Sequence, residues 1–217
     1  MTSFGKRKKR ATKIVQKLKE LFPKAKIVLQ YKNNWELLVA VILSAQCTDK
    51  KVNEVTKKLF KKYKNLDDYI QVDQKEFEQD IKPTGFFRNK AKNILATAKM
   101  IKEKFGGKVP RTMQEMLQLP GVARKTANVV LGNAYGVVEG IAIDTHVMRL
   151  SQKLGLSQYK DPVKIELDLM KLVSIKDWFF LTYGLIEYGR HICAKRKHEC
   201  KDHPLTKIYP KAATIWP

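Results

Sequence analysis

LPGVARKTA, at Leu119–Ala127, is the stretch of sequence that decides the fold of this chain. It follows a short segment with helix-start signals, Met113–Gln118, and precedes an apolar helical run at Val129–Leu131. Gly121 therefore predicts a tight hairpin that joins two helices. At such a hairpin the backbone N–H groups and the positive dipole end of the second helix point the same way. This arrangement suits a phosphate and reads no base.

The rest of the chain also predicts helices. Apolar residues recur at helical spacing in three further segments, namely Ile14, Leu18, Leu21 and Phe22; Val52, Val55 and Leu59; and Ile94, Leu95, Ala98, Ile101 and Phe105. The run Trp35–Leu43 is apolar except for Glu36 and predicts a central helix enclosed on all sides. Alternating polarity, which is typical of half-buried strands, is essentially absent, so the expected fold class is all-α.

Residues that cap a first helical turn mark several helix starts. Thr112 with Glu115 three residues later predicts a capping box. Asp161 followed by Pro162 predicts another start. Asp144 precedes a further helical stretch, so its carboxylate is a candidate N-cap.

The chain is strongly basic, with 43 Lys and Arg residues against 21 Asp and Glu and a formal net charge of +22 at pH 7. Such an excess favours polyanionic partners. No apolar run approaches the ~18 residues of a membrane-spanning helix, and no secretory signal follows the basic start of the chain. We therefore expect an intracellular protein without a membrane partner, cytoplasmic and nucleoid-associated if its source is prokaryotic.

Four segments, in this order along the chain, resemble the endonuclease III branch of the helix-hairpin-helix DNA glycosylase superfamily. They are Leu43–Asp49, Gly85–Ala91, Leu119–Ala127 and Asp144–His146, and the resemblance covers most of the chain. Ala123 departs from the pattern, since a second glycine is common in the hairpin. If that position required a left-handed conformation, alanine would cost roughly 1–2 kcal/mol.

The resemblance implies two helical lobes with a cleft between them in which duplex DNA lies. Residues 27–138 would form a six-helix lobe that contains the hairpin, and residues 1–26 and 139–217 together would form the second lobe. Lys125 would then belong to the first lobe and Asp144 to the second. We expect a monomer.

The activity implied is that of a bifunctional DNA glycosylase and AP lyase of base excision repair, which removes oxidised pyrimidines and cleaves the strand by β-elimination. The nucleophile would be the amine of Lys125, which attacks the sugar carbon bearing the damaged base and forms a Schiff base. Asp144 would either assist removal of the lysine proton or stabilise positive charge on the sugar. Its alternative role, as an N-cap, is compatible with both.

Other residues of these segments are expected to contact DNA. Gln46 and Phe86 match the positions that fill the stack when a base is flipped out, although both residue types also occur in ordinary loops and cores. The remaining expected contacts are at the hairpin and beyond it: Gly121, Ala123, Arg124, Thr126 and His146. For His146 a purely structural role is an equal alternative.

Three other functions are kept as alternatives to this activity. An adenine-specific mismatch glycosylase shares the fold but usually lacks the hairpin lysine. A non-catalytic helix-hairpin-helix module, or a nucleic-acid-binding protein in which the apparent chemistry is incidental, would not need Lys125 together with Asp144.

The C-terminal cysteines predict that no iron–sulfur cluster is bound. Similar enzymes usually carry a four-iron four-sulfur cluster at cysteines separated by six, two and five residues. Cys193 and Cys200 match the first two positions, but His203 and Tyr209 occupy the others, and cubane clusters need four thiolates. We expect no metal. A zinc site formed by Cys193, Cys200, His203 and a further histidine is the alternative. It is disfavoured because His191 and His198 fit no familiar ligand spacing.

Overall fold

The structure is a computed structural model that describes residues 3–216. Among these residues the regular elements are helices and no β-strand is present, which confirms the all-α prediction. The α-helices in chain order are α1 (Ser3–Leu21), α2 (Asn34–Leu43), α3 (Asp49–Lys62), α4 (Leu66–Gln71), α5 (Gln74–Ile81), α6 (Phe87–Lys104), α7 (Met113–Met116), α8 (Arg124–Tyr135), α9 (Thr145–Lys153), α10 (Pro162–Leu172), α11 (Ile175–His191) and α12 (Pro204–Ile208). Short 3-10 helices lie at Lys82–Thr84 and Pro210–Ala213.

The chain divides into two compact units. One consists of residues 28–137 and the other of residues 3–27 with 138–216. These bounds differ from the expected 27–138 by one residue at each end. Met1, Thr2 and Pro217, which the predicted lobes include, lie outside the described residues. No described helix is long and apolar enough to cross a membrane.

The unit formed by residues 28–137 is built around α2. Every residue from Glu36 to Leu43 is buried, as the apolar run predicts. The one carboxylate in the run, that of Glu36, accepts a hydrogen bond at 2.7 Å from the backbone N–H of Lys32, which satisfies one of its oxygens. Helix α8 packs directly on α2.

The same unit contains seven α-helices rather than the expected six, because α7 is a separate single turn. Thr112 caps α7, accepting a hydrogen bond from the backbone N–H of Glu115 at 3.2 Å. The predicted capping box is only half formed, because the Glu115 carboxylate accepts a hydrogen bond from the Thr112 hydroxyl at 2.8 Å instead of from the Thr112 backbone. However, α7 ends at Met116 rather than at Gln118. The N–H of Gln118 bonds to the carbonyl three residues back, that of Glu115, at 3.0 Å, so the chain tightens into a turn before the hairpin.

The unit formed by residues 3–27 and 138–216 has its own apolar core. The core includes Ile14, Leu18, Val147, Leu150, Ile165, Leu169, Leu181 and Leu185. Asp161 caps α10 as predicted and accepts a hydrogen bond at 2.8 Å from the backbone N–H of Lys164. In the basic helix α1, Arg7 donates to the carbonyl of Leu156 at 2.6 Å and pairs with Asp168 at 2.6 Å. Part of the N-terminal positive charge therefore holds this unit together.

Candidate functional site

The hairpin before α8 requires glycine at position 121. Gly121 has a φ of +74°, and a Cβ atom there would lie 2.5 Å from Nδ2 of Asn93. Any other residue would therefore be both strained and in collision with the neighbouring helix. The carbonyl of Pro120 accepts a hydrogen bond from Oγ1 of Thr97 at 3.0 Å. This bond ties the hairpin to α6 and fixes the direction in which α8 begins.

Ala123 is the N-cap residue of α8 and carries no strain. Its φ of −87° and ψ of 169° are those of extended backbone, so the left-handed conformation considered at this position is not required. No side chain caps α8. The N–H groups of its first turn therefore have no side-chain acceptor. Helix starts of this kind bind phosphate groups.

Lys125 is exposed and is the second residue of α8. Arg124 and Thr126, on either side of it, are half-buried. The other face of the helix is anchored by buried residues that include Ala127, Val130 and Leu131. The expected hairpin contacts and the expected nucleophile thus share one rigid helix start.

Gln46 and Phe86 are the two non-glycine residues with positive φ among residues 3–216. Their φ angles are 52° and 47°. A non-glycine residue in this left-handed region costs roughly 1–2 kcal/mol, and such strain tends to occur at functional sites. Gln46 is exposed, and Phe86 exposes 66% of its surface although it is a large aromatic residue. Both side chains are therefore held out of the core by strained loops.

Lys90 connects the two loops that carry Gln46 and Phe86. It is 5% exposed, and its Nζ donates hydrogen bonds at 2.8 Å to the carbonyls of Leu43 and Thr84. Leu43 ends α2 three residues before Gln46, and Thr84 lies two residues before Phe86. Burial lowers the pKa of Lys90. A single ammonium group thus fixes the start of both loops.

The sequence patterns alone assign no role to Lys90, although a signal is present. Lys90 lies four residues before Ile94 and seven before Thr97, in the register of the buried face of α6. A lysine at a core-facing position is expected to have partners for its amine, since an unpaired buried charge is costly. The identity of these partners depends on the packing of α2 against α6.

Asp144 is the N-cap of α9, as predicted. Its Oδ1 accepts a hydrogen bond from the backbone N–H of Val147 at 2.8 Å. Its other oxygen has no hydrogen-bond or ion-pair partner within the described residues of its own unit. Residues 141–143, directly before it, are buried, and the carbonyl of Ala142 accepts a hydrogen bond from Oγ1 of Thr182 at 3.2 Å. The carboxylate is therefore firmly positioned, and one of its oxygens is not used by the cap.

His146 is half-buried and packs against α11. A Cβ atom on Gly189 would lie 2.4 Å from Nδ1 of His146, so the imidazole lies directly over this glycine. The contact accounts for a structural role of His146 within its unit. Its expected contact with DNA stays a prediction.

Comparison with known proteins agrees with this arrangement. Residues 39–174 match a family described as HhH-GPD superfamily base excision DNA repair protein. Endonuclease III of Synechocystis sp. is 50% identical, over 95% of this chain and 94% of its own length. A solved non-covalent complex of endonuclease III with DNA is 41% identical with a TM-score of 0.90, covering 99% of this chain and 98% of its own.

A second solved structure is a trapped covalent intermediate of endonuclease III with DNA. It is 41% identical to this chain, has a TM-score of 0.91, and covers 99% of both chains. The fold of this protein is therefore that of the helix-hairpin-helix glycosylases. The chain belongs to the HhH-GPD superfamily of base excision DNA repair proteins and, within it, to the endonuclease III family.

Proposed function

We propose that this protein is a bifunctional DNA glycosylase and AP lyase, which excises oxidised pyrimidines from duplex DNA and then cleaves the strand. The observation that carries the proposal is the exposed amine of Lys125 in the first turn of α8, next to a hairpin that no side chain caps. The similarity to an enzyme trapped as a covalent DNA intermediate supports it. We also propose that the protein acts as a monomer and, if its source is prokaryotic, is associated with the nucleoid.

In the proposed reaction, the neutral amine of Lys125 attacks the sugar carbon bearing the damaged base. The N-glycosidic bond breaks, the base leaves with a proton, and the opened sugar forms a Schiff base with Nζ. Loss of a proton from the neighbouring sugar carbon then expels the 3′ phosphate. The free oxygen of Asp144 either assists proton removal or stabilises positive charge on the sugar.

DNA binding is proposed to rest on phosphate contacts at the start of α8 and on the net charge of +22. A base in a duplex is out of reach of the amine, so the nucleotide must be flipped out. Gln46 would hydrogen-bond the orphaned partner base, and the ring of Phe86 would stack in the duplex. The αL conformations of both residues support this role.

Of the alternatives, an adenine-specific glycosylase is disfavoured by the presence of Lys125 in the hairpin. A non-catalytic binding module is disfavoured because Asp144 retains an oxygen that capping does not use. The single oxidised pyrimidine that best represents the proposed substrate class is thymine glycol, so we choose it as the probe.

Borohydride trapping tests the proposal. Wild-type protein should become covalently linked to a duplex containing an abasic site and to one containing thymine glycol, whereas Lys125→Gln should give no adduct and no strand cleavage. Both proteins should bind the duplex similarly, because binding is spread over many phosphates. Lys58→Gln, which removes an exposed lysine of α3, is the charge-matched control and should be trapped normally. Adduct formation by Lys125→Gln would refute the assigned nucleophile.

A further inference from the structure

The donor set near the C-terminus does not fit the iron–sulfur cluster usual in this family. The unit that contains it has two cysteines, Cys193 and Cys200, whereas a cubane is held by four thiolates. Tyr209, at the fourth position, stacks with the Arg10 guanidinium carbon 3.7 Å from its ring centroid. A Cβ atom on Gly155 would approach the Tyr209 ring to 2.9 Å. Tyr209 is therefore a packing residue.

A different set of donors converges in the segment between α11 and α12. One ligand atom each from Cys193, His198 and His203 lies within 4.8 Å of the other two. Cys193 is 1% exposed, and both histidines are half-buried. The two imidazole rings lie side by side, with centroids 5.2 Å apart and planes 33° apart. Convergence of a thiol and two imidazoles is typical of a metal site.

The histidines have ring nitrogens that the protein itself does not satisfy. Nε2 of His198 and Nδ1 of His203 are buried and have no hydrogen-bond partner among the described residues. Nδ1 of His198 lies 2.6 Å from the carbonyl oxygen of Arg196. Because a carbonyl only accepts, this Nδ1 carries the hydrogen, and Nε2 is the ring nitrogen that remains for a metal ion. A backbone carbonyl that fixes the tautomer in this way is a usual partner of a metal-binding histidine.

Cys193 is also held in position from outside the cluster. Arg149 of α9 donates a hydrogen bond to the Cys193 carbonyl at 2.6 Å and a weaker one to its Sγ at 3.9 Å. These two contacts fix the direction of the Cys193 side chain, whose sulfur is the kind of donor that metal ions take. Buried nitrogens without partners next to a buried thiol are costly unless an ion binds them.

We propose that Cys193, His198 and His203 bind one Zn²⁺ ion. One thiolate with two imidazoles is a borderline-soft set that suits zinc. Bond lengths of about 2.3 Å to sulfur and 2.0–2.1 Å to nitrogen place tetrahedral ligands roughly 3.5 Å apart. The three donors, at separations up to 4.8 Å, therefore need to close by about 1 Å. Cys200 is buried but is not one of these three donors, and its Sγ lies 3.9 Å from the carbonyl of Ala213, so we assign it no place in the site.

This proposal revises the expectation of a metal-free protein. The sequence does not predict His198 as a ligand, because its spacing fits no familiar ligand pattern. The fold nevertheless brings its ring next to that of His203. The zinc would hold the basic segment from Cys193 to His203, which contains Lys195, Arg196, Lys197 and Lys201. Through the bond between Arg149 and Cys193 it would also steady α9, whose N-cap is Asp144.

Metal analysis of the full-length protein tests the proposal. As purified, the protein should contain no iron and no acid-labile sulfide. After it is stripped with a chelator and reloaded with Zn²⁺, it should bind one ion per chain. Reloading with Co²⁺ should give a thiolate-to-cobalt charge-transfer band, which Cys193→Ser should abolish. His198→Asn and His203→Asn should each weaken zinc binding by more than the roughly 10–100-fold that loss of an outer-shell partner costs.

The matched controls are His191→Asn and Cys47→Ser, which remove a histidine and a free cysteine outside the cluster. Both should bind zinc and cobalt like the wild type. Far-UV circular dichroism and the cobalt band together separate loss of a ligand from loss of folding. The proposal is overturned if reloaded wild-type protein lacks stoichiometric zinc, if iron and sulfide are present in stoichiometric amounts, or if His191→Asn loses as much zinc as His198→Asn.

Discussion

Replacing Lys90 with methionine tests whether one buried amine positions the loops that carry Gln46 and Phe86. Methionine keeps an unbranched side chain of similar length, so little cavity is created. What is removed is the pair of hydrogen bonds, 2.8 Å each, to the carbonyls of Leu43 and Thr84. Without these bonds, each loop loses the contact that anchors it just before its strained residue, which is Gln46 in one loop and Phe86 in the other.

The magnitude follows from the two bonds and from the burial of the charge. Hydrogen bonds with a charged partner contribute about 1.5–3 kcal/mol each, which gives about 3–6 kcal/mol for the pair. Removing the amine also removes the free-energy cost of burying its charge. This burial is the chief cause of the lowered pKa of Lys90. We expect the free energy of unfolding to fall by about 2–4 kcal/mol after this offset.

The pH dependence has a definite sign. Lys90 titrates with its ordinary pKa of 10.5 in the unfolded chain, and burial lowers the pKa in the folded protein. Between the two values the unfolded chain binds more protons, so the contribution of Lys90 to stability rises with pH. Methionine does not titrate. The stability deficit of Lys90→Met should therefore be smallest below the folded pKa and should grow as the pH approaches 10.5.

Urea unfolding and single-turnover kinetics measure the two effects. Excision of thymine glycol from a duplex, which requires base flipping, should slow more than borohydride trapping on a preformed abasic site. Lys92→Met, at an exposed position of the same helix, is the control and should change stability by less than about 0.5 kcal/mol. If Lys90→Met matched Lys92→Met in both stability and excision, the positioning role of Lys90 would be wrong.

Three further perturbations test the hairpin, the carboxylate and the charge. Gly121→Ala should destabilise the protein and weaken DNA binding more than Gly136→Ala, because both glycines have positive φ but a Cβ collides with a side chain only at Gly121; equal effects in urea unfolding and binding assays would contradict this. Asp144→Asn should retain the cap and stability, since Asn caps as well as Asp, yet slow single-turnover excision about 100-fold or more; unchanged turnover would reduce Asp144 to a capping residue. Duplex affinity, measured by fluorescence anisotropy, should fall with log K decreasing by roughly 0.9 per phosphate contact for each decade of salt, and a flat response would exclude binding through phosphates.

The amino-acid sequence by itself determined the features that depend on neighbours along the chain. The helical period predicted the all-α fold and the buried helix α2, because burial of one face or of all faces follows from the spacing of apolar side chains. The caps at Thr112, Asp144 and Asp161 were predictable because a cap bonds an N–H only a few residues away. The resemblance of four segments indicated the family, which the comparisons confirm.

Tertiary structure alone decided the features that join distant parts of the chain. Lys90 and the carbonyl of Leu43 are 47 residues apart in sequence, and no local pattern names a partner at that distance. The hairpin's need for glycine depends on Asn93 of another helix. Likewise, His198 fits no familiar ligand spacing, and only the path of the chain between α11 and α12 brings it to Cys193 and His203. Local patterns specify which face of a helix is buried, whereas the packing of helices on one another specifies which side chains meet.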